Sequence, residues 1–472
     1  MIRHEIAFTL NGQPIELGRE FALQPLSDTL RYHLRKPGTK VVCAEGDCGA
    51  CTVMLARAKD GEFHSINSCI YPTSSADGCH LVTVEGLARG LNFEDLHEVQ
   101  KSMVRNFGGQ CGFCTPGFVM SIVNLYEHKK NPSEQNVKNY LTGNLCRCTG
   151  YQPIVSAALD VDAKKCESLK KMYPLKKETE WLLERTKTPV MIETAELSYY
   201  APTHLDEALK YKADHPEVRI ISGSTDLGVQ INKGKNSDRR RMSLQLIDEL
   251  HEISNENGQV KFGARVTLNQ LQKWAEDQQP ELAQFLNIFA SPQIKHSATL
   301  VGNLANASPI GDTLPYLLAV DAVVHLRNSS GERRVPVSQF FKAYKSLEMK
   351  PDEIIAAVSW PEKIDGKMGL YKISQRRDLD ISCVNAAFVV KKSGSRIEKA
   401  RVALGGVAAT PLRIKKFEAW LEANNVSNTF AELSCDELVR EIAPLSDVRG
   451  SKEFRILVVR ELWSKYLASA LK

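Results

Sequence analysis

No G-x-G-x-x-G occurs anywhere in the 472 residues, so the dinucleotide fingerprint of a Rossmann unit is missing and any nucleotide site must be built differently. No apolar run approaches the roughly 18 to 20 residues that a membrane span needs, so no membrane span is expected. Behind Met1-Ile2-Arg3-His4-Glu5 there is no apolar core of a signal peptide, and an alternating strand pattern starts at once. The expected location is therefore cytoplasmic. A strong excess of one charge is also lacking: 61 Lys+Arg against 56 Asp+Glu leaves +5, too mild to argue for a nucleic-acid partner. With 43% hydrophobic and 25% charged residues the chain can bury real cores, and its length suits about two to four domains.

Cysteine is what the sequence does have. Nine of the 12 lie before residue 150, and only Cys166, Cys383 and Cys435 follow. In a long chain without secretory signals, clustered cysteines point to metal rather than disulfides. The opening reads as a hairpin, with Ile6, Phe8 and Leu10 alternating, Asn11-Gly12 as the turn, and Ile15 and Leu17 returning. Asp28 to Arg35 reads as a short helix stopped by Pro37-Gly38. Then comes Cys43-x4-Cys48-x2-Cys51, with Cys69 beyond a further strand, the plant-type spacing for a [2Fe–2S] cluster. Gly46 and Gly49 relieve crowding where a tight loop must wrap an inorganic core. Structural zinc or inert thiols are the competing readings.

A second group is Cys111-x2-Cys114, followed by an amphipathic helix with Phe118, Ile122 and Leu125 on one face. Pro132-Ser133 starts another helix, which ends before Cys146-x-Cys148. The two pairs can meet if those helices pack side by side. Iron–sulfur and zinc both stay open on spacing alone, although C-x-C is uncommon in zinc sites. Cys79, Cys166, Cys383 and Cys435 have no partner at ligand spacing and read as small buried hydrophobes.

Residues 160 to 195 change character. Lys164, Lys165, Lys170, Lys171, Lys176, Lys177 and Lys187 alternate with acids, which predicts a solvated tether with some helix. Beyond it the pattern is α/β. The strand Val218 to Ile221 runs into Ser222-Gly223-Ser224-Thr225-Asp226-Leu227, a turn able to offer N–H groups to phosphate oxygens. A second turn of this sort spans Thr299 to Asp312, before an apolar helix from Leu314 to Val320. Asp312 reads as the N-cap of that helix or as an acceptor for ribose hydroxyls. Strands at Ala386 to Lys391 and Ala400 to Leu404 precede helices at the end.

Cys43-x4-Cys48-x2-Cys51…Cys69, Gln110-Cys111-Gly-Phe-Cys114-Thr-Pro-Gly and Leu-Cys146-Arg-Cys148-Thr-Gly-Tyr together resemble the molybdenum hydroxylase family. The resemblance implies a multidomain α+β chain. Residues 1–88 would form a β-grasp plant-type ferredoxin domain, 89–162 a four-helix [2Fe–2S] domain and 163–195 a linker. Residues 196–364 would form a vanillyl-alcohol-oxidase-type α/β FAD domain, and 365–472 an α+β C-terminal flavoprotein domain. Two [2Fe–2S] clusters are implied, one on Cys43, Cys48, Cys51 and Cys69, the other on Cys111, Cys114, Cys146 and Cys148.

The family's flavin signature resembles Ile220, Ile221, Ser222, Gly223, Ser224, Thr225, Asp226 and Leu227. Its second loop resembles Thr299 to Asp312, implying FAD contacts at Thr299, Gly302, Asn303, Ser308, Pro309 and Asp312. Ungapped extension adds Phe289, Ile355 and Lys372; from the residues alone, Phe289 and Ile355 read as ordinary core. Val301-Gly302-Asn303 departs from the family's common Gly-Gly-Asn. Gln110 is implied to face the molybdenum cofactor at a subunit boundary, where sequence alone gives an exposed amide. The Arg376-Arg377 loop is implied to flank the flavin face that meets NAD⁺, or it is a solvated salt-bridged turn.

The fused order resembles the small subunit of bacterial purine-oxidising members. This implies an electron-transfer subunit that accepts electrons from a large molybdopterin-binding subunit carrying the molybdenum cofactor. They would pass through both clusters to FAD and on to NAD⁺ as hypoxanthine and xanthine become urate. A heterotetramer of two small and two large subunits is expected, with no catalytic residue on this chain and no nucleic-acid or membrane partner. The same subunit in another N-heterocycle or aldehyde hydroxylase is the alternative reading, and a zinc-stabilised scaffold is the non-enzymatic one.

Overall fold

The computed structural model describes residues 2–236, 238–425 and 430–470; Met1 and Lys472, the ends of the expected first and last domains, lie outside the described residues. The chain divides into two compact units. The first holds Met1–Ala208, Glu217–Asp248 and Ala290–Ala298; the second holds Leu209–Pro216, Glu249–Phe289 and Thr299–Lys472. Among the described residues no helix is long and apolar enough to cross a membrane.

In the first unit, the hairpin Ile6–Leu10 and Gln13–Leu17 closes through Asn11 and Gly12, both at positive φ. A two-residue turn of that shape matches strand twist, which is why Asn-Gly specifies it. The five-stranded sheet runs Gln13–Leu17, Ile6–Leu10, Cys79–Val82, Thr52–Arg57, His64–Asn67, with a parallel pair between its second and third strands. Alternation predicts one buried face for Ile6–Leu10, but all five residues are buried. The small Ala7 leaves room on the far face for Leu182 and Trp181.

That contact shows that the segment expected to be a solvated tether with some helix also packs on the sheet. Residues 163–195 carry the helices Leu169–Met172 and Lys176–Thr186, and Leu169 and Leu182 are fully buried. Thr179 bonds His80 at 2.9 Å, and Tyr173 donates to the Gly86 carbonyl. The seven lysines do stay exposed. Their alternation with acids describes only the outer face; the sparse apolar residues between them supply an inner one.

Four helices follow the sheet: Glu98–Arg105, Thr115–His128, Glu134–Leu141 and Gln152–Leu159. Ser133 caps the third, its hydroxyl accepting from the Asn136 N–H at 3.2 Å. The helix Thr115–His128 is not amphipathic in place: every residue from Gly117 to Leu125 is buried. Helices cover one side and the Thr52–Arg57 strand the other, so polar Asn124 survives inside by accepting from the Ser65 N–H at 3.1 Å. The short helix expected at Asp28 starts earlier, at Leu26, and its last turn widens over Thr29–His33. A second, four-stranded sheet in this unit orders Val190–Glu193, Ser198–Ala201, Arg240–Ser243 and Arg219–Ile221.

Among the described residues the second unit has three antiparallel sheets, the smallest a pair of short strands, Phe341–Ala343 and Ser346–Leu347. The five-stranded one runs Ile253–Glu256, Gln259–Gly263, Ile354–Pro361, Val323–Asn328, Gly331–Pro336. Phe262 and Trp360 stack on it at 4.4 Å, with Trp274 and Tyr316 edge-on. The four-stranded sheet, Lys367–Ile373, Val384–Ser393, Arg396–Gly405 and Leu412–Arg413, packs Phe388 against Trp463 and Tyr466, and Trp463 in turn meets Phe417. The multidomain α+β class is the one the sequence predicts.

Candidate cofactor sites

The first cysteine set sits in an irregular loop against the sheet. Gly49 has φ +66, and a Cβ there would lie 2.2 Å from the Gly143 carbonyl oxygen, so only glycine closes this loop. Cys43 is within hydrogen-bonding reach of Cys48 and Cys69, and Cys69 of Cys51. Hydrogen bonds from Cys48 and Cys69 pull the Cys43 thiol far down, while Cys48 and Cys69 are pushed up by the same contacts. These four thiols, linked by side-chain contacts, offer sulfur donors of the type iron–sulfur chemistry uses.

The second set forms where the loop before helix Thr115–His128 meets the loop between the third and fourth helices. Cys111 and Cys148 are exposed with sulfurs 3.6 Å apart, and Cys114 pairs with Cys146. Burial pushes the Cys114 thiol up to about 12. Burial also opposes ionisation of Cys146, but the Thr149 hydroxyl at 3.2 Å and the Cys148 N–H at 3.4 Å outweigh it and bring that thiol to about 7. The Cys146 N–H donates to the Tyr151 hydroxyl at 3.1 Å, and Tyr151 itself holds φ +71. Thr149 and Tyr151, quoted in the sequence motif without a role of their own, both hydrogen-bond Cys146. All twelve cysteines are free thiols; Cys79, Cys383 and Cys435 are buried and Cys166 half-buried. Gln110 is exposed.

Also in the first unit, Ile220 and Ile221 end the strand Arg219–Ile221, and the chain turns through Ser222 to Asp226 into the helix Leu227–Asn232. A Cβ on Gly223 would lie 2.1 Å from the Ser297 carbonyl oxygen. Ser224 holds φ +60, and its buried hydroxyl has no hydrogen-bond partner among the described residues. An orphaned hydroxyl in a strand–turn–helix bend fits a phosphate-bearing ligand. Asp226 bonds Gln230 and Thr225 lies beside it in the turn. Asn232 donates to the carbonyls of Ala44 at 2.9 Å and Cys69 at 2.8 Å, tying this turn to the first cysteine loop.

In the second unit, Thr299 caps the helix Leu300–Ala305 by accepting from the Gly302 N–H at 3.0 Å, and Asn303 accepts from Thr313 at 2.6 Å. Ser308 accepts from the Ile310 N–H, and the Pro309 carbonyl accepts from the Gly406 N–H at 2.8 Å. Asp312 precedes the helix Thr313–Ala319 but does not cap it with its side chain. Its carboxylate instead pairs with Lys372 at 2.6 Å and accepts from Ser382 at 2.5 Å and Asn385 at 2.9 Å. Lys372 also lies 6.0 Å from the Phe289 ring. Phe289, Asp312 and Lys372 thus converge; Ile355 is buried in its strand, which touches the helix Leu300–Ala305. The Arg376 loop folds on itself, the Arg376 N–H donating to Asp380 at 2.9 Å with Arg377 exposed.

Three family descriptions match consecutive parts of the chain. Residues 83–159 match the "[2Fe-2S] binding domain", 194–363 the "FAD binding domain in molybdopterin dehydrogenase" and 369–470 the "CO dehydrogenase flavoprotein C-terminal domain". These fit the iron–sulfur and flavin region of the molybdenum hydroxylases. The xanthine dehydrogenase of Emericella nidulans is 31% identical across 88% of this chain and 35% of its own length. Xanthine dehydrogenase 1 of Arabidopsis thaliana is 29% identical across 93% of this chain and 38% of its own. The chain therefore spans under two fifths of these relatives. Among solved structures, a carbon monoxide dehydrogenase from Hydrogenophaga pseudoflava aligns with 59% of this chain and 99% of its own (TM-score 0.55, 24% identity). Quinoline 2-oxidoreductase from Pseudomonas putida aligns with 59% and 98% (TM-score 0.54, 24% identity). Both share the fold.

Three histidines meet in the first unit. His64 and His128 stack at 4.8 Å, and His296 lies 4.6 Å from His64, with its Nδ1 2.8 Å from the Ser65 carbonyl oxygen. Burial holds His296 well below the ordinary histidine value, and His64, His128 and Lys295 add to the effect. The unfolded chain then binds more protons than the folded one below about pH 6.5. Stability from this residue is full above that pH and is lost as pH falls toward the depressed folded value. Thermal unfolding midpoints at pH 7.5 and 5.5 should diverge in the wild type and diverge less in His296→Asn. Equal slopes would contradict the assignment.

Proposed function

We propose that this chain is the iron–sulfur/FAD electron-transfer subunit of a xanthine dehydrogenase. The observation that carries the reading is that Cys43 contacts Cys48 and Cys69, Cys69 contacts Cys51, Cys111 contacts Cys148 and Cys114 contacts Cys146, on a chain that also matches FAD-binding and flavoprotein C-terminal domains. Alignment of xanthine dehydrogenases over 88% and 93% of the chain supports the purine assignment. The partner would be a large molybdopterin-binding subunit, two of each forming a heterotetramer in the cytoplasm. The domain spans expected from sequence, 1–88, 89–162, 196–364 and 365–472, remain our assignment of the cofactor-bearing parts.

When bound, two [2Fe–2S] clusters and FAD would supply one-electron transfer and delivery of hydride to NAD⁺. The chain's own residues would do the positioning. Cys43, Cys48, Cys51 and Cys69 would hold one cluster, and Cys111, Cys114, Cys146 and Cys148 the other. The Thr149 hydroxyl and the Cys148 N–H, already directed at the Cys146 sulfur, would tune its electron density. Ile220 to Leu227 would receive the FAD phosphates, with Phe289, Thr299, Gly302, Asn303, Ser308, Pro309, Asp312, Ile355 and Lys372 as further contacts.

The test is co-purification of the native chain, followed by identification of its partner and molybdenum content. Alone, the folded chain should oxidise NADH with a dye as acceptor and show no activity on xanthine. Adding the large partner should bring xanthine-dependent NADH formation. Xanthine turnover by this chain alone, a partner acting on another heterocycle, or a colourless zinc-containing preparation would each overturn the assignment.

A further inference from the structure

One side chain from far along the sequence reaches between the two cysteine sets. Gln293 is 1% exposed, on the short helix Pro292–Ser297. Its Nε2 donates to Ser121 Oγ at 3.0 Å and to Asn144 Oδ1 at 3.0 Å, with Thr52 Oγ1 at 3.4 Å. Each partner lies close to a cysteine in sequence. Thr52 follows Cys51, Asn144 precedes Cys146 by two residues, and Ser121 lies on the helix that begins after Cys114.

The bonds continue into the first cysteine loop. Asn144 Nδ2 donates to the Gly49 carbonyl at 3.2 Å, and the Leu145 N–H donates to the Cys48 carbonyl at 3.0 Å. Ser121 also donates to Asn144 Oδ1 at 2.7 Å, so Asn144 is held from two sides. A Cβ on Gly143 would lie 2.2 Å from Gln293 Oε1 and 2.7 Å from Ser291 Cβ, so a larger residue there would push the Gln293 side chain out of this arrangement. That oxygen is buried without a hydrogen-bond partner among the described residues. An apolar side chain of similar length would fill the space without stranding a carbonyl, so packing alone does not explain a glutamine here. The neighbouring Ile294 packs against Cys51, Cys69 and Ile70, and the Ser297 carbonyl abuts Gly223. One segment therefore touches both cysteine loops and the flavin-type turn.

We propose that Gln293 is a positioning residue that fixes the register of Asn144-Leu145 against Cys48-Gly49, and with it the spacing between the two cluster sites. This rests on the reading that both cysteine sets hold clusters. The exchange it would serve moves a single electron, with no bond made or broken and no proton carried.

The experiment is Gln293→Met in the full cofactor-loaded chain, which keeps length and removes the donors. Iron and flavin contents should match the wild type. Amide hydrogen exchange at Leu145 should quicken by roughly 2- to 10-fold, the loss of about one ordinary hydrogen bond. Low-temperature EPR of the fully reduced chain should show the splitting between the two paramagnetic clusters changed. Should that variant not fold, Ser121→Ala removes one acceptor and should give a smaller change in the same two readouts. Unchanged exchange and unchanged splitting in a folded variant would overturn the role. A wild-type chain with only one cluster signal would overturn the two-cluster reading and the spacing role with it; changed exchange in that chain would show Gln293 holding the loops for another purpose.

Discussion

Cys148→Ser should lower the iron of the purified chain from about four to about two per molecule while leaving FAD in place. Low-temperature EPR of the reduced variant should lose one of two rhombic signals. The expectation follows from how the thiols divide. Cys148 lies 3.6 Å from Cys111, and the Cys114–Cys146 pair completes that group. Cys43, Cys48, Cys51 and Cys69 interact among themselves, in a different loop. Both cysteine loops are nonetheless joined by backbone, through the Leu145 N–H and the Cys48 carbonyl. A soluble, flavin-bearing Cys148→Ser chain without either signal would mean that the first loop cannot keep its cluster when the second is empty. That outcome would overturn the partition into two independent sets.

Features set by neighbouring residues were legible in the sequence. Asn11-Gly12 specifies a tight hairpin because both positions need positive φ, and Ser133 announces a helix start because its hydroxyl reaches back to an N–H. The spacings within Cys43-x4-Cys48-x2-Cys51, Cys111-x2-Cys114 and Cys146-x-Cys148 are local and readable for the same reason, whereas the approach of Cys69 to the first loop and of Cys148 to Cys111 depends on packing. What escaped was set by segments distant along the chain. Hydrophobic periodicity reports the side of a helix that is apolar, but Gly117 to Leu125 are buried all round, and the Oδ1 of polar Asn124 takes its hydrogen bond from Ser65, on a strand some sixty residues earlier in the chain. Lysines marked residues 163–195 as solvated, yet the pairing of Leu182 with Ala7 depends on a small residue more than 170 positions away, which no window on the linker contains. Gln293 is the extreme case. Its acceptors lie 149 and 172 residues back, and a lone glutamine in an Ser-Pro-Gln-Ile segment carries no local signal of what it will meet.

Asp312 shows how a residue singled out by its sequence neighbours can meet different chemistry in the fold, and it carries the second large prediction. Sequence offers it as a helix cap or a ribose acceptor, whereas the folded chain gives its carboxylate to Lys372, Ser382 and Asn385. The Asp312 and Lys372 side chains are 6% and 2% exposed, so this is a buried ion pair with added hydrogen bonds. Removing one partner of such a pair strands the other charge, at a cost of about 3 to 5 kcal/mol, while removing both can be nearly neutral. Asp312→Ala should therefore lower the stability of the second unit by about that amount, read as an earlier denaturant midpoint for its aromatic core at Trp274 and Trp360. Lys372→Met should do the same, and Asp312→Ala with Lys372→Met should recover most of the loss. The double variant also separates stability from cofactor retention. If Asp312 or Lys372 contacts FAD, the double variant should refold to near wild-type stability and still lose flavin on gel filtration. If the pair serves only to brace the strand Lys367–Ile373 against the helix Thr313–Ala319, flavin should return together with stability, and both residues would drop out of the proposed FAD contacts.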